Sequence, residues 1–314
     1  MKPMARMLRW FLGLALACLV AGPAGAGCQV VRRGTVPVRL AAGAALVDVV
    51  INDTPLPMTL DTGAERTALT VSAVQRLRLA PDEWTANTLR GAGGRLESHR
   101  AVSPATMLLG GIPLRRRGLS PKPSLSVIAG IGPASPGPDR SDGLLGGDLL
   151  SFFDIDLDLP ARQLTLFSVE GCAGRFLPWA GPYEAISIQL GMRSRTQPLV
   201  PVRLDGQPLL AVLDSGASAS FVNLRGMRRL GLTTAMLAND PAMTAGVVGG
   251  MVSGRLHRFV ALQVGPVVMR EPSLLTVPVP TPIFDLLVGL DVWRTHRVWI
   301  SYATSQIFVA RPDE

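Results

Sequence analysis

The chain has 314 residues, of which 47% are apolar and 17% charged, so it can bury one large core or two medium ones and is too apolar to be intrinsically disordered. Its formal net charge is +8, but its only basic run, at 115–117, is not interleaved with aromatic residues, which argues against nucleic-acid binding. Abundant Gly (33) and Pro (26) beside only two Tyr predict many short strands and turns, and hence a β-rich globular protein.

The first residues resemble a secretory signal peptide. A start with three basic residues is followed by an uncharged apolar run at 10–20 and by the small-residue pattern Ala24-Gly25-Ala26. The apolar run is short for a membrane span, which needs about 20 residues. We therefore expect removal of residues 1–26, a net charge of +5 and export to the periplasm or the medium. An uncleaved membrane anchor is the alternative.

Removal of that segment leaves two cysteines, Cys28 and Cys172. An even pair in an exported protein predicts a possible disulfide, with two unpaired thiols as the alternative. The three histidines are far apart and have no ligand spacing, and there is no Cys-x-x-Cys motif. We expect no metal and no cofactor.

The middle of the chain contains an internal repeat. Residues Leu46–Leu79 align without gaps on Leu199–Leu232 at an offset of 153, and 12 of the 34 positions are identical. Unrelated segments of this composition share only about three or four. A short helix is expected near the end of each copy, at 72–79 and 225–232.

A second repeat lies downstream. Residues 142–148 correspond to 285–291 at an offset of 143, and a hairpin pattern follows each copy. The first half therefore has about ten extra residues, which we place in a Pro-rich and Gly-rich surface loop at 118–140. A break in the pattern near 171–182 predicts two lobes, at 27–175 and 176–314.

Each copy of the first repeat contains an apolar strand that ends in Asp-(Thr/Ser)-Gly-Ala. One such turn is common, but two at equivalent positions of a duplicated lobe would meet at a pseudo-twofold axis. Asp61 and Asp214 would then share one proton, because two adjacent carboxylates cannot both ionise easily. Such a pair can activate a water molecule and polarise a peptide carbonyl, so that hydrolysis needs no covalent intermediate.

These segments, MTLDTGAERTAL and AVLDSGASASFV, resemble the active-site segments of retropepsin-like aspartic proteases, in a version with both halves fused. The apolar-apolar-Gly segments at 144–146 and 287–289 match the strand that supports the active-site turn in that family. The resemblance implies an all-β, pseudo-twofold bilobal acid-protease fold made of two retropepsin-like β-barrel lobes, each with one short helix or two. It implies that Asp61 and Asp214 are catalytic.

The resemblance also assigns supporting roles. The hydroxyls of Thr62 and Ser215 would hydrogen-bond across the two turns, and the glycines would allow close approach of the backbone. The Gly-rich hairpins at 90–95 and 246–251 would be two flaps that close over substrate. The residues assigned to active-site support are Thr62, Gly63, Ala64, Ser215, Gly216 and Ala217, and those assigned to the flaps are Gly91, Gly93, Gly94, Gly249 and Gly250.

The expected function is a monomeric aspartic endopeptidase that cuts peptide or protein substrates and binds no nucleic acid. The alternative is a catalytically silent peptide-binding pseudoprotease. Ala64 and Ala217 lack the hydroxyl that pepsin-like enzymes have after this motif. Loss of that donor raises the carboxyl pKa, so we expect a pH optimum less acidic than that of a digestive enzyme.

Overall fold

The computed structural model of the chain describes residues 27–41, 43–91, 96–114, 123–130, 140–189, 196–247, 250–281 and 283–311. Within these ranges it is an all-β protein with four short helices. The strands are β1 Gln29–Pro37, β2 Arg39–Ala41, β3 Ala44–Ile51, β4 Thr54–Leu60, β5 Ala68–Thr70, β6 Pro81–Arg90, β7 Leu96–Val102, β8 Met107–Leu109, β9 Ile112–Pro113, β10 Ser126–Ile128, β11 Gly143–Leu145, β12 Asp154–Asp158, β13 Gln163–Glu170, β14 Tyr183–Ser187, β15 Leu199–Leu204, β16 Gln207–Leu213, β17 Phe221–Val222, β18 Ala242–Val247, β19 Gly250–Arg258, β20 Ala261–Val264, β21 Val267–Arg270, β22 Ser273–Thr276, β23 Leu286–Val288, β24 Arg297–Ser301 and β25 Gln306–Ala310. The helices are α1 Val71–Arg76, α2 Gly147–Leu150, α3 Leu224–Arg229 and α4 Leu290–Trp293.

Two sheets, one in each half, have the same local topology. The eight-stranded sheet contains the order β10-β5-β11-β4-β3, and the nine-stranded sheet contains β22-β17-β23-β16-β15. The hairpins β3–β4 and β15–β16 both turn through two residues with positive φ, Asn52 and Asp53 in the first and Asp205 and Gly206 in the second. Strands β4 and β16 also share one burial pattern along their seven residues. The repeat therefore corresponds to two lobes of one design, and the expected fold class is confirmed.

The short helices follow from local signals. Helix α1 begins after Thr70, whose hydroxyl accepts a hydrogen bond from the Ala73 N–H, and α3 begins after Asn223, which caps it in the same way. Helices α2 and α4 follow the apolar-apolar-Gly segments. The described part of each lobe thus has two helices, each a single turn or slightly longer.

A third sheet joins the two halves. Its order is β1-β13-β12-β24-β25-β14, so three strands come from each side of the expected boundary. Strands β12 and β24 pair across the boundary in register Ile155↔Ile300 to Asp158↔Arg297, and the Arg297 guanidinium binds both carboxylate oxygens of Asp156 at 3.0 and 2.6 Å. The two final hairpins, expected to belong each to its own lobe, therefore form one continuous platform between them.

The two Gly-rich hairpins are attached differently. The hairpin β6–β7 forms a separate two-stranded sheet, which one bridge, Val102↔Leu125, ties to β10. The hairpin β18–β19 is continuous with its lobe, because Arg255–Arg258 pair with Ser273–Thr276 of β22. The hairpins are thus equivalent in position but not in attachment.

Cys28 and Cys172 are joined by a disulfide, which links the start of β1 to the end of its neighbour β13. In the part of the chain that the structure describes, no helix is both long and apolar enough to span a membrane. The expected signal peptide (1–26), the basic run at 115–117 and most of the loop at 118–140 lie outside the described residues.

Candidate active site

The two aspartate turns, Asp61–Ala64 and Asp214–Ala217, begin where β4 and β16 end. Each turn is supported by the parallel neighbouring strand of its own lobe. The Asp61 N–H donates to the Leu145 carbonyl of β11 at 3.0 Å, and the Asp214 N–H donates to the Val288 carbonyl of β23 at 2.9 Å. The apolar-apolar-Gly segments therefore fix where each aspartate leaves its strand.

Two hydroxyls connect the turns across the lobes. The Thr62 hydroxyl donates to the Leu213 carbonyl at 2.8 Å and accepts from the Ser215 N–H at 3.1 Å. Reciprocally, the Ser215 hydroxyl donates to the Leu60 carbonyl at 2.6 Å and accepts from the Thr62 N–H at 3.2 Å. Both side chains are buried, so four hydrogen bonds shielded from water hold the two turns in register.

The glycines of the turns lie against the aspartate of the opposite lobe. A Cβ atom at Gly63 would lie 2.4 Å from the Asp214 carboxyl carbon, and one at Gly216 would lie 2.6 Å from that of Asp61. Ordinary carbon contacts begin at about 3.4 Å. Glycine is therefore required here by the closeness of the two turns.

The two carboxyl groups influence each other, and both have raised pKa values. Burial, followed by the charge of Asp214, raises the pKa of Asp61 well above its ordinary value, while a hydrogen bond from the Ala64 N–H (2.8 Å) acts in the opposite direction. Burial also raises the pKa of Asp214, against a hydrogen bond from the Gly216 N–H (2.8 Å). The geometry thus favours one shared proton, and the titration belongs to the pair.

A second pair of aspartates holds the turns from behind, and sequence reasoning gave them no role. Asp148 accepts hydrogen bonds from the N–H and the hydroxyl of Thr67 at 2.7 and 2.6 Å. Asp291 does the same for Ser220 at 2.9 and 2.7 Å. All four residues lie in the two repeats, so their matching positions were a usable signal.

Gln197 was also missed. It lies in the C-terminal lobe, is 8% exposed, and donates from its side-chain amide to the Gly63 carbonyl of the opposite turn. That carbonyl belongs to the same peptide unit as the Ala64 N–H that donates to Asp61. If the offset of 153 is continued two residues before the repeat, Ala44 is at the equivalent position of the first lobe, and alanine has no side-chain amide to make this contact.

The expected flap glycines are only partly described. Gly91 follows β6 and Gly250 begins β19, whereas Gly93, Gly94 and Gly249 lie outside the described residues. Among the described residues, no group of three or more His, Cys, Asp or Glu side chains is arranged to hold a metal ion.

Two β lobes that each contribute one aspartate turn to a shared site define the architecture of a bilobal acid protease. A family model described as aspartyl protease matches residues 47–149 and 200–292, one match in each lobe. The chain belongs to this retropepsin-like aspartyl protease family.

A curated relative is DNA damage-inducible protein 1 of Kluyveromyces lactis, which is 30% identical to the chain over 101 residues. The aligned region is 32% of this chain and 23% of that protein. The chain therefore spans less than a quarter of the relative's length.

Proposed function

We propose that the chain is an active endopeptidase and that Asp61 and Asp214 are its catalytic residues. The observation that carries this proposal is the close approach of the two aspartate turns, one from each lobe, which sets the glycine of each turn against the carboxyl group of the other. A silent binding module would need the lobes but has no use for a buried carboxyl and a partly buried one held together at a cost in desolvation.

In the proposed reaction the ionised carboxylate of the pair takes a proton from a water molecule, whose oxygen attacks the peptide carbonyl carbon. The protonated carboxyl donates its proton to the carbonyl oxygen, which gives a tetrahedral diol. The C–N bond then breaks as the nitrogen accepts a proton from the pair and the diol returns one. The products are a free carboxyl and a free amine, and the dyad is left with its single proton.

Substrate would lie extended between the aspartate turns and the hairpins β6–β7 and β18–β19. Both halves of the site come from one chain, which supports a monomeric enzyme. The disulfide Cys28–Cys172 supports export, since such bonds persist in oxidising compartments. N-terminal sequencing of the mature protein should then give a start near Gly27, and a start at Met1 would contradict export by cleavage.

The test is incubation of the purified protein with an unfolded protein mixture, followed by mass spectrometry of new termini. Asp61→Asn and Asp214→Asn serve as controls, because asparagine keeps the shape but cannot share the proton. The proposal predicts new termini with the wild type and a rate about 10² to 10⁴-fold lower with either variant. A wild type that cuts no more than the variants would favour the peptide-binding alternative.

A further inference from the structure

The side chains on the face of the lobe sheet that contacts the aspartate turn and β6 differ between the lobes. Neighbouring residues of a strand point to opposite faces of a sheet. Leu60, Leu69 and Leu145 of the first lobe belong to the main core. The residues immediately before them therefore face the other way, and two of these, Ala68 and Leu144, form a separate small cluster with Ile128 that contacts Ala64 of the aspartate turn and Leu89 of β6.

The pairing registers align these residues into one row across each sheet. In the first lobe Ser126 pairs with Ala68, Ala68 with Leu144, and Leu144 with Thr59. We call these four residues the N-lobe row. The equivalent C-lobe row consists of Leu275, Phe221, Leu287 and Val212.

All four side chains of the C-lobe row are bulky and apolar, whereas the N-lobe row has one such side chain, Leu144. A methyl group at Ala68 takes the place of the benzyl group of Phe221, and the hydroxymethyl group of Ser126 takes the place of the Leu275 isobutyl group. The C-lobe row also packs within a larger cluster that contains Phe284. This face of the first lobe therefore carries smaller and more polar side chains.

Two polar atoms, one in the N-lobe row and one on β6, have no hydrogen-bond partner among the described residues. One is the hydroxyl oxygen of Ser126, a side chain only 1% exposed, and the other is the amide nitrogen of Asn87. Asn87 lies two residues before Leu89 on β6 and so shares the face with which Leu89 contacts the cluster. Buried polar groups are normally paired, so two unpaired donors on facing elements need an explanation.

We propose that the two lobes prefer different substrate side chains. The N-lobe row and Asn87 form a subsite for a long side chain that ends in an uncharged hydrogen-bond acceptor, as glutamine does. The C-lobe row accepts small side chains. The inference rests on the proposed function, because it places substrate between the aspartate turns and the hairpins. An amide suits the subsite better than a carboxylate, since the surrounding Leu89 and Leu144 penalise a charge.

The test uses peptides in which one residue at a time is changed to Ala, Met, Gln or Glu at each of four positions on both sides of a cleaved bond. Binding to Asp214→Asn is measured by fluorescence anisotropy, and cleavage by the wild type is measured in parallel. We expect the peptide with glutamine to bind and to be cleaved better than the peptide with alanine by at least about tenfold, at one position on one side only. We also expect glutamine to exceed its apolar analogue methionine by about fivefold at that position.

Variants connect this preference to the rows. In Ser126→Ala the advantage of glutamine over methionine should disappear, and in Ala68→Phe the ratio of glutamine to alanine should fall to about 1. Phe221→Ala should create a new preference for long side chains on the opposite side of the cleaved bond. The matched controls Ser187→Ala and Ala185→Phe, at exposed positions of β14, should leave all ratios unchanged.

If Ala68→Phe does not fold, Ser126→Ala and the wild-type profile still decide the matter. Equal tolerance of glutamine on both sides, or a glutamine preference that Ser126→Ala leaves intact, would overturn the inference. Binding with the predicted preference but without cleavage would refute the proposed function and leave the inference standing. Cleavage with a symmetric profile would do the reverse, and absence of both binding and cleavage would refute both.

Discussion

Gly63→Ala should displace the carboxyl group of Asp214 in the opposite lobe. The added methyl carbon would lie 2.4 Å from the Asp214 carboxyl carbon and 2.5 Å from one of its oxygens. Because ordinary contact begins near 3.4 Å, the carboxyl must retreat by about 1 Å. A misplacement of that size costs about 10²-fold in rate, and such overpacking costs about 1–3 kcal/mol in the free energy of unfolding.

The assay combines kcat on a peptide substrate with urea unfolding, so that a slow enzyme is distinguished from an unfolded one. Gly216→Ala should act in the same way on Asp61, where the new carbon would lie 2.6 Å from the carboxyl carbon. Gly130→Ala is the control, since nothing lies within 4 Å of its added carbon. A folded Gly63→Ala protein with kcat within about threefold of the wild type would refute the close approach of the turns.

Three further perturbations test the site and its frame. Burial raises the pKa of both aspartates, so the native state holds the shared proton more tightly than the unfolded chain. The contribution of this pair to the free energy of unfolding should be largest below about pH 4 and fall as the pH rises through the native pKa. Urea titrations across this pH range should show that the free energy of unfolding decreases less for Asp61→Asn than for the wild type. An equal decrease in the two proteins would contradict the pairing. Thr62→Val leaves the Leu213 carbonyl and the Ser215 N–H without their partner. It should lower the free energy of unfolding, measured by urea titration, by about 2–4 kcal/mol. A loss below about 0.5 kcal/mol would mean that the hydrogen bonds between the turns contribute little to stability. Cys28→Ser with Cys172→Ser opens a loop that spans 144 residues and should lower the free energy of unfolding by up to about 5 kcal/mol; reductant should destabilise the wild type similarly and leave the double variant unaffected.

Much of the site could be predicted because the two halves of the chain still align in sequence. The gapless alignment placed Asp61 opposite Asp214, and the structure places the carboxyl groups together. The same repeat contained Thr67 and Ser220, and the downstream repeat contained Asp148 and Asp291. Their role was not apparent because a buried aspartate that fixes a loop and one that does chemistry look alike in a sequence.

Other features could not be predicted, since they depend on contacts between segments with no shared pattern. A hairpin pattern specifies the partner strand within the hairpin, but it does not show that β12 would pair with β24 of the other lobe. Gln197 lies just before β15, and nothing in its neighbours shows that it reaches the opposite turn. The different attachment of the two hairpins likewise depends on pairing between β19 and β22.

The central claim is that Asp61 and Asp214 act as one unit, and a double-mutant cycle on kcat tests it most directly. Wild type, Asp61→Asn, Asp214→Asn and the double variant are compared on one peptide, with folding checked by urea unfolding. If the two carboxyls share one proton and one water molecule, either single substitution should lower kcat about as much as the double substitution. The reason is that the effects of residues that act as a unit are strongly non-additive. Additive losses, or a single variant that retains the wild-type rate, would contradict a shared dyad.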